Sequence, residues 1–361
     1  MFAEDKPVTP LDIVLDTLEL LVAQVRAVEV IMAKNEYLEA LGPLASLYLD
    51  PDIYEIMVDA YDKVIVDRKD RLVATDIKFE SPDALRTMID KLMALGGINL
   101  DLKKTSGHLR FPDASRCLAV IPPTAVDGPY LVIRKTRSAY FSMQDLIGFG
   151  SVTKEQYALL KSALQTRQNI LIAGGTGSGK TTFANVLTDD FPEDERVVVV
   201  ESVYELQPRL ERFVRLSADS SPDHSMQDLV ILASKMRPDR LIVGELHGPE
   251  AFQTLNIFNM GHDGSLTILH ANSPEDSLSR LETMCLMANL GLGLNEIRTL
   301  IASALQLLTY QELLIDGSRK ITHIVELCGL ENGRYMLQPL FRYNPQTREI
   351  ESTGNQPSWM K

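Results

Sequence analysis

The chain has 361 residues, enough for two domains with separate cores, and its 45% hydrophobic and 24% charged residues exclude a fibrous repeat or wholesale disorder. A formal net charge of -13 repels a phosphate backbone, so no direct nucleic-acid partner is expected. Cys117, Cys285 and Cys328 lie far apart and in no CxxC pair, which supports neither a disulfide framework nor a cysteine zinc site and fits a reducing cytoplasm.

Near the start, Thr9, Pro10 and Asp12 read as a helix cap, a first-turn proline and a dipole-matching acid. Leu11, Val14, Leu18, Leu21, Val25, Val28 and Met32 then repeat at alternating spacings of three and four, which predicts an amphipathic helix. Asp12, Asp16, Glu19, Arg26 and Glu29 within that stretch argue against a membrane span, and no cleavable signal peptide is expected before it. Residues 1–45 are taken as an N-terminal helical segment.

From Tyr54 the pattern changes to short β-rich runs, IYEIMV, KVIVDR and RLVATDIKF, then a helix over Pro82–Leu95, then strands in HLRFP, SRCLAVIPP and YLVIRK. This predicts a small α+β domain over 46–137, followed by a linker over 138–152.

Thr153 and Gln156 form a capping box that opens a helix, after which strand runs NILIA, RVVVV, FVRLSA, LIVGE and SLTILH alternate with helices. The expected fold class of 153–361 is α/β: a RecA-like P-loop domain with a mostly parallel sheet, ending in strand-like runs KITHIVEL and RYMLQPLF whose placement the pattern leaves open.

The apolar run Asn169–Ala173 leads straight into Gly174, Gly175, Thr176, Gly177, Ser178, Gly179, Lys180, Thr181 and Thr182, and helical spacing follows at Phe183, Val186 and Leu187. This is the strand, glycine-rich loop and helix of a phosphate cradle. The glycines let backbone N–H groups face phosphates, Lys180 meets the β- and γ-phosphates, and the Thr181 hydroxyl joins a Mg2+ shell, so ATP and Mg2+ are the expected ligands.

Phosphoryl transfer also needs acids at the ends of neighbouring strands. Val197–Val200 runs into Glu201, with Glu205 one turn on, and Leu241–Val243 runs into Gly244 and Glu245. Glu201 and Glu245 are the expected metal carboxylates, directly or through water, and Glu245 is the expected activator of the attacking water. His262 and His270 bracket the strand run SLTIL, and His270 at its exit is placed to sense the γ-phosphate as a neutral donor.

Together these segments resemble the secretion ATPase superfamily of type II and type IV secretion systems. In its terms GGTGSGKTT is the Walker A box, ESVYEL the Asp box, MRPDRLIVGEL the Walker B region and GHDGSLTILHAN the His box. NMGHDGS, LHANSPEDSLSRLE and RFPDASRCLAVIPP look most like the tight-adherence (Tad/Cpa) pilus assembly ATPases of the CpaF type.

The resemblance implies a hexameric cytoplasmic motor, peripheral at the inner membrane, that hydrolyses ATP to drive pilus assembly or secretion through an inner-membrane platform protein. It also implies arginines from the N-terminal domain that reach the phosphates. Arg134 in LVIRK, Arg116 in ASRC and Arg110 in HLRFP match by position. A conjugative or type IV secretion traffic ATPase shares every box, and a regulatory ATP-binding subunit with little turnover is a third reading. Two departures bear on the transfer: Ser202 follows Glu201 where relatives commonly carry an aspartate, and Ala114 stands where they often carry glycine.

Overall fold

The computed structural model describes residues 35–69, 71–113, 115–135, 141–218 and 224–360. The helix expected over Leu11–Met32, Ala114 and the first residues of the expected linker lie outside them. The chain divides into two compact units, one ending at Tyr140 and the other spanning Phe141–Lys361.

The first unit carries an antiparallel sheet of β1 (Ile53–Ala60), β2 (Lys63–Arg68), β3 (Arg71–Ala74), β4 (Ser106–Arg110), β5 (Arg116–Val120) and β6 (Tyr130–Arg134), in the order β3-β2-β1-β6-β5-β4. The helix Pro82–Leu95 starts where Ser81 caps it by accepting from the N–H of Ala84, with Pro82 and Asp83 in the first turn. Its apolar stripe Leu85, Met88, Ile89, Leu92 and Met93 packs in one core with Ile56, Val58, Val64, Val66, Leu131 and Ile133 of the sheet.

The second unit carries a nine-stranded sheet. Its parallel part runs through β7 (Ile170–Gly174), β8 (Val197–Glu201), β9 (Phe213–Ser217), β10 (Arg240–Leu246), β11 (Leu266–His270) and β12 (Leu307–Leu313), in the spatial order β12-β7-β11-β10-β8-β9. These strands are near-continuous apolar runs because both faces are covered. Ile170 and Ile172 face one core with Val197 and Val199, while Leu171 and Ala173 face the other with Val198 and Val200.

The tail continues the sheet antiparallel beyond β12 as β13 (Arg319–Glu331), β14 (Arg334–Asn344) and β15 (Glu349–Ser352).

The amino ends of the parallel strands are tied together by buried polar side chains. Arg240 is almost wholly buried, pairs with Glu195, donates to the carbonyls of Gly264 and Leu164 at 3.0 Å each, and lies over the Phe191 ring. Asn169 bridges the starts of three strands by donating to the Ala304 carbonyl, accepting from the Ser265 N–H and giving its own N–H to Gln306. With the amino ends fixed, the carboxyl ends of β7, β8, β10 and β11 present loops at one edge of the sheet, where ligands bind in open α/β folds.

Candidate functional site

At that edge β7 ends at Gly174 and the helix Lys180–Thr188 begins six residues later. The turn between them requires glycine at two points. A Cβ on Gly174 would lie 2.3 Å from the Gln311 carbonyl oxygen, and Gly179 caps the helix in the left-handed region at φ 96°.

The loop gathers hydrogen-bond donors around one point. Lys180 Nζ donates to the carbonyls of Gly175 at 2.9 Å and Gly174 at 3.1 Å, Ser178 Oγ donates to Gly175 O at 2.8 Å, and the Ser178 N–H reaches the same oxygen at 3.4 Å. An ammonium, a hydroxyl and an amide thus converge on a single carbonyl oxygen. Burial lowers the Lys180 pKa, and Glu245 and Glu205 oppose that shift. Thr182 follows in the first helical turn, half-buried.

Beside the loop, the Thr181 hydroxyl donates to Glu205 Oε2 at 3.1 Å. Glu201, at the end of β8, is buried. Its Oε1 accepts from the N–H groups of Glu205 at 2.9 Å and Leu206 at 2.7 Å, while Oε2 has no hydrogen-bond partner. Burial pushes its carboxyl up to about 7, against the pull of those two N–H groups and of Arg215.

Glu245, one strand over on β10, faces His270 at the end of β11, with Nδ1 3.8 Å from Oε1, and His270 Nε2 lies 3.5 Å from Thr176 Oγ1. Burial and the Lys180 charge hold the imidazole below its ordinary pKa, so it is neutral at neutral pH.

The residues fit Mg-ATP on two observations: donors converge on one oxygen, and a buried carboxylate oxygen of Glu201 without a hydrogen-bond partner lies beside the Thr181 hydroxyl's own acid partner. Among the described residues no group of three or more His, Cys, Asp or Glu is placed to hold a metal ion. A Mg2+ ion that keeps water and takes phosphate oxygens needs only a few protein groups.

His262 is not brought to the loop. It precedes β11 at the end opposite His270, and its carbonyl accepts from Ser265 Oγ. Arg110, Arg116 and Arg134, in the first unit, are direct cross-strand neighbours at one end of β4, β5 and β6, and Glu55 on β1 stands opposite Arg134. Directly opposite residues share a face, so three cations and one acid form a row.

Two further residues belong to the site and lie outside every motif. Arg215 on β9 puts its Nε 3.8 Å from Glu201 Oε2, donates to the Leu206 carbonyl at 2.6 Å and lies over the Tyr204 ring. An arginine inside the apolar run FVRLSA was the available signal, because a half-buried guanidinium needs an anion or carbonyl partner. Arg319, the first residue of β13, donates from Nε to the Gly177 carbonyl at 2.7 Å. Nothing local in the tail sequence DGSRKITH marks it, since strand order alone carries the tail to β7.

Among the described residues no helix is long and apolar enough to cross a membrane. Residues 38–332 match the model of the type II/IV secretion system protein family. A protein of Mycobacterium tuberculosis (strain H37Rv) whose name links it to conjugal transfer is 31% identical over 301 residues, spanning 80% of this chain and 85% of that one. The type IV secretion system protein VirB11 of Bartonella henselae is 27% identical over 330 residues, spanning 80% of this chain and 92% of its own. Among solved structures, the Legionella pneumophila ATPase DotB matches with a TM-score of 0.57 at 18% identity over 77% of each chain, a likeness of fold.

Proposed function

The chain belongs to the type II/IV secretion system protein family, and on that premise we propose that it is an ATP-hydrolysing motor subunit. The convergence of Lys180 Nζ, Ser178 Oγ and the Ser178 N–H on one oxygen at the end of β7 carries this reading. In the presence of nucleotide those donors exchange the Gly175 carbonyl for phosphate oxygens. The two Ser178 donors exchange a neutral acceptor for an ionised one, and charge-assisted hydrogen bonds are about twice as strong as neutral ones, while Lys180 exchanges a carbonyl dipole for a full opposite charge.

Thr181, with Glu201 and Glu245, is assigned to hold Mg2+, which supplies neutralisation of charge on the phosphates. Glu245 is assigned to orient the attacking water, and neutral His270, 3.8 Å from it, to donate a hydrogen bond toward the transferred group. Glu205 already holds the Thr181 hydroxyl and supplies a carboxylate to the Asp box in which Ser202 replaces aspartate. The row Arg110, Arg116 and Arg134 is assigned to anionic phosphate oxygens.

As a motor of this family the chain is taken to work as a ring, with a hexamer the expected size, at the cytoplasmic face of an inner-membrane platform protein. Sequence motifs favour pilus assembly of the Tad/Cpa type. The names of relatives, conjugal transfer and VirB11, favour a type IV secretion traffic role as the second reading.

Phosphate release by the purified chain tests the enzyme assignment. Hydrolysis is expected in the wild type and lost in Lys180→Ala, while Glu245→Gln binds ATP and retains it uncleaved. Equal phosphate release in wild type and Lys180→Ala overturns the site, and negligible wild-type turnover with intact ATP binding supports a regulatory subunit instead. Co-purification with a platform protein encoded beside the gene separates the pilus from the traffic reading.

A further inference from the structure

The tail turns back at the hairpin between β12 and β13 and covers the glycine-rich loop. The turn is tightly made: the Leu314 N–H donates to Ser318 O at 2.8 Å, and Ser318 donates from both N–H and Oγ to Asp316 Oδ1 at 2.9 and 2.6 Å. Leu313 and Arg319 are paired across it, so both are delivered to one place. A Cβ on Gly179 would lie 3.5 Å from Arg319 Cδ, and one on Gly177 would lie 3.9 Å from Leu313 Cδ2.

Arg319 Nε donates to the Gly177 carbonyl. That carbonyl belongs to the same peptide unit as the Ser178 N–H, and in a planar trans peptide the two bonds point in opposite directions. Holding the carbonyl toward the hairpin therefore turns the Ser178 N–H to the other side of the loop. There it makes only a 3.4 Å contact with Gly175 O, the oxygen that Lys180 Nζ also reaches. A cation on the carbonyl side also polarises the peptide and strengthens its N–H as a donor.

We infer that Arg319 is a positioning residue of the nucleotide site: it fixes the peptide between Gly177 and Ser178 so that its N–H and the Lys180 ammonium converge on one phosphate oxygen. The inference rests on the P-loop reading above, and it gives the C-terminal hairpin a role in polyphosphate binding. The ligand part concerned is the phosphate chain, so inorganic tripolyphosphate should sense Arg319 as ATP does.

Calorimetric titration of the full chain with tripolyphosphate and with ATP tests this, on wild type, Arg319→Ala, Arg319→Lys and Lys180→Ala. Arg319→Ala is expected to weaken both ligands by the same factor, about tenfold, equivalent to ~1.4 kcal/mol and in the range of one hydrogen bond to a charged group. Arg319→Lys, which keeps a cation on the hairpin, is expected to recover part of that loss. The nucleotide-free melting temperature of Arg319→Ala should stay within a few degrees of wild type, which a general packing role would not allow.

Unchanged tripolyphosphate affinity in Arg319→Ala overturns the inference, as does a loss confined to ATP, which would assign the hairpin to base or ribose. If Arg319→Ala does not fold, equal affinities in Arg319→Lys and Arg319→Gln, a cation and a neutral amide at the same position, overturn it. Wild-type chain that binds neither ligand, or Lys180→Ala that binds both normally, removes the P-loop reading itself and this inference with it.

Discussion

Gly244 on β10 stands beside Glu201 on β8 so closely that a methyl group on Gly244 would lie 3.1 Å from Glu201 Cγ. The glycine next to the Walker B acid is thus a spacer for the acid of the neighbouring strand. Gly244→Ala is expected to shift Glu201 by a few tenths of an ångström, at a stability cost of about 1 kcal/mol. Turnover should fall on the order of tenfold, because small misplacements of reacting groups are costly. ATP affinity should hold, since the alanine touches none of the loop donors. Measured kcat equal to wild type would show that Glu201 need not stand where it does.

Arg134 offers a separate test in the first unit. Like charges directly opposite one another in a sheet repel, and Arg134 faces Arg116, which in turn faces Arg110. Arg134→Ala is therefore expected to change the unfolding free energy by less than about 1 kcal/mol while lowering turnover on the order of a hundredfold. Denaturant titration and phosphate release on the same samples check both halves. Full turnover would reduce Arg134 to a strand-face charge paired with Glu55.

The carboxyl edge of the parallel sheet was legible in sequence because each of the candidate residues there follows an apolar run: Gly174 after ILIA, Glu201 after VVVV, Glu245 after LIVG, His270 after LTIL. A parallel strand buried on both faces is a near-continuous apolar run, so the glycine or ionisable residue that breaks the run lies at or near its carboxyl end. His262 broke the same reasoning, since a histidine before a strand and one after it are 8 positions apart in sequence and lie at opposite ends of the strand. Arg319 and Gln311 were not legible. They reach the loop only because β12 lies next to β7, and no local pattern encodes that pairing. Helix starts were the easiest features: Thr153 with Gln156 makes the capping box their residue types prescribe.

Arg240 makes the Walker B string MRPDR structural at its last residue. Its guanidinium is buried between Glu195 and two carbonyls, of Gly264 and Leu164, at the end of the sheet away from the loop. Arg240→Met keeps the volume and strands those carbonyls, and breaking a buried charged network of this kind costs roughly 3–5 kcal/mol. A lower melting temperature is expected, with unchanged ATP affinity in the protein that remains folded. Loss of ATP binding at temperatures where circular dichroism reports a native fold would show that the amino-end lock also shapes the phosphate loop.

Glu201 couples stability to pH. Its carboxyl is raised from 4.5 to about 7 by burial. The folded, nucleotide-free chain therefore holds a proton that the unfolded chain has released across that interval. Stability from this group is complete below about pH 4.5, declines as pH rises through the interval and is lost above about pH 7, where folding must bury the ionised carboxylate. The full span corresponds to ~3 kcal/mol, with one pKa unit worth about 1.4 kcal/mol. Glu201→Gln retains an oxygen for the N–H groups of Glu205 and Leu206 but carries no charge to bury. The variant is therefore expected to melt several degrees above wild type at pH 8 in the absence of nucleotide and Mg2+, and at nearly the same temperature at pH 4.5. Turnover should fall sharply in the same variant, because the charge that destabilises the empty site is the one assigned to the metal. Melting curves of both proteins at a series of pH values decide the matter: a constant difference between them would mean that Glu201 does not change its protonation on folding, and a variant less stable at pH 8 would mean that Arg215, 3.8 Å away, already compensates the buried charge.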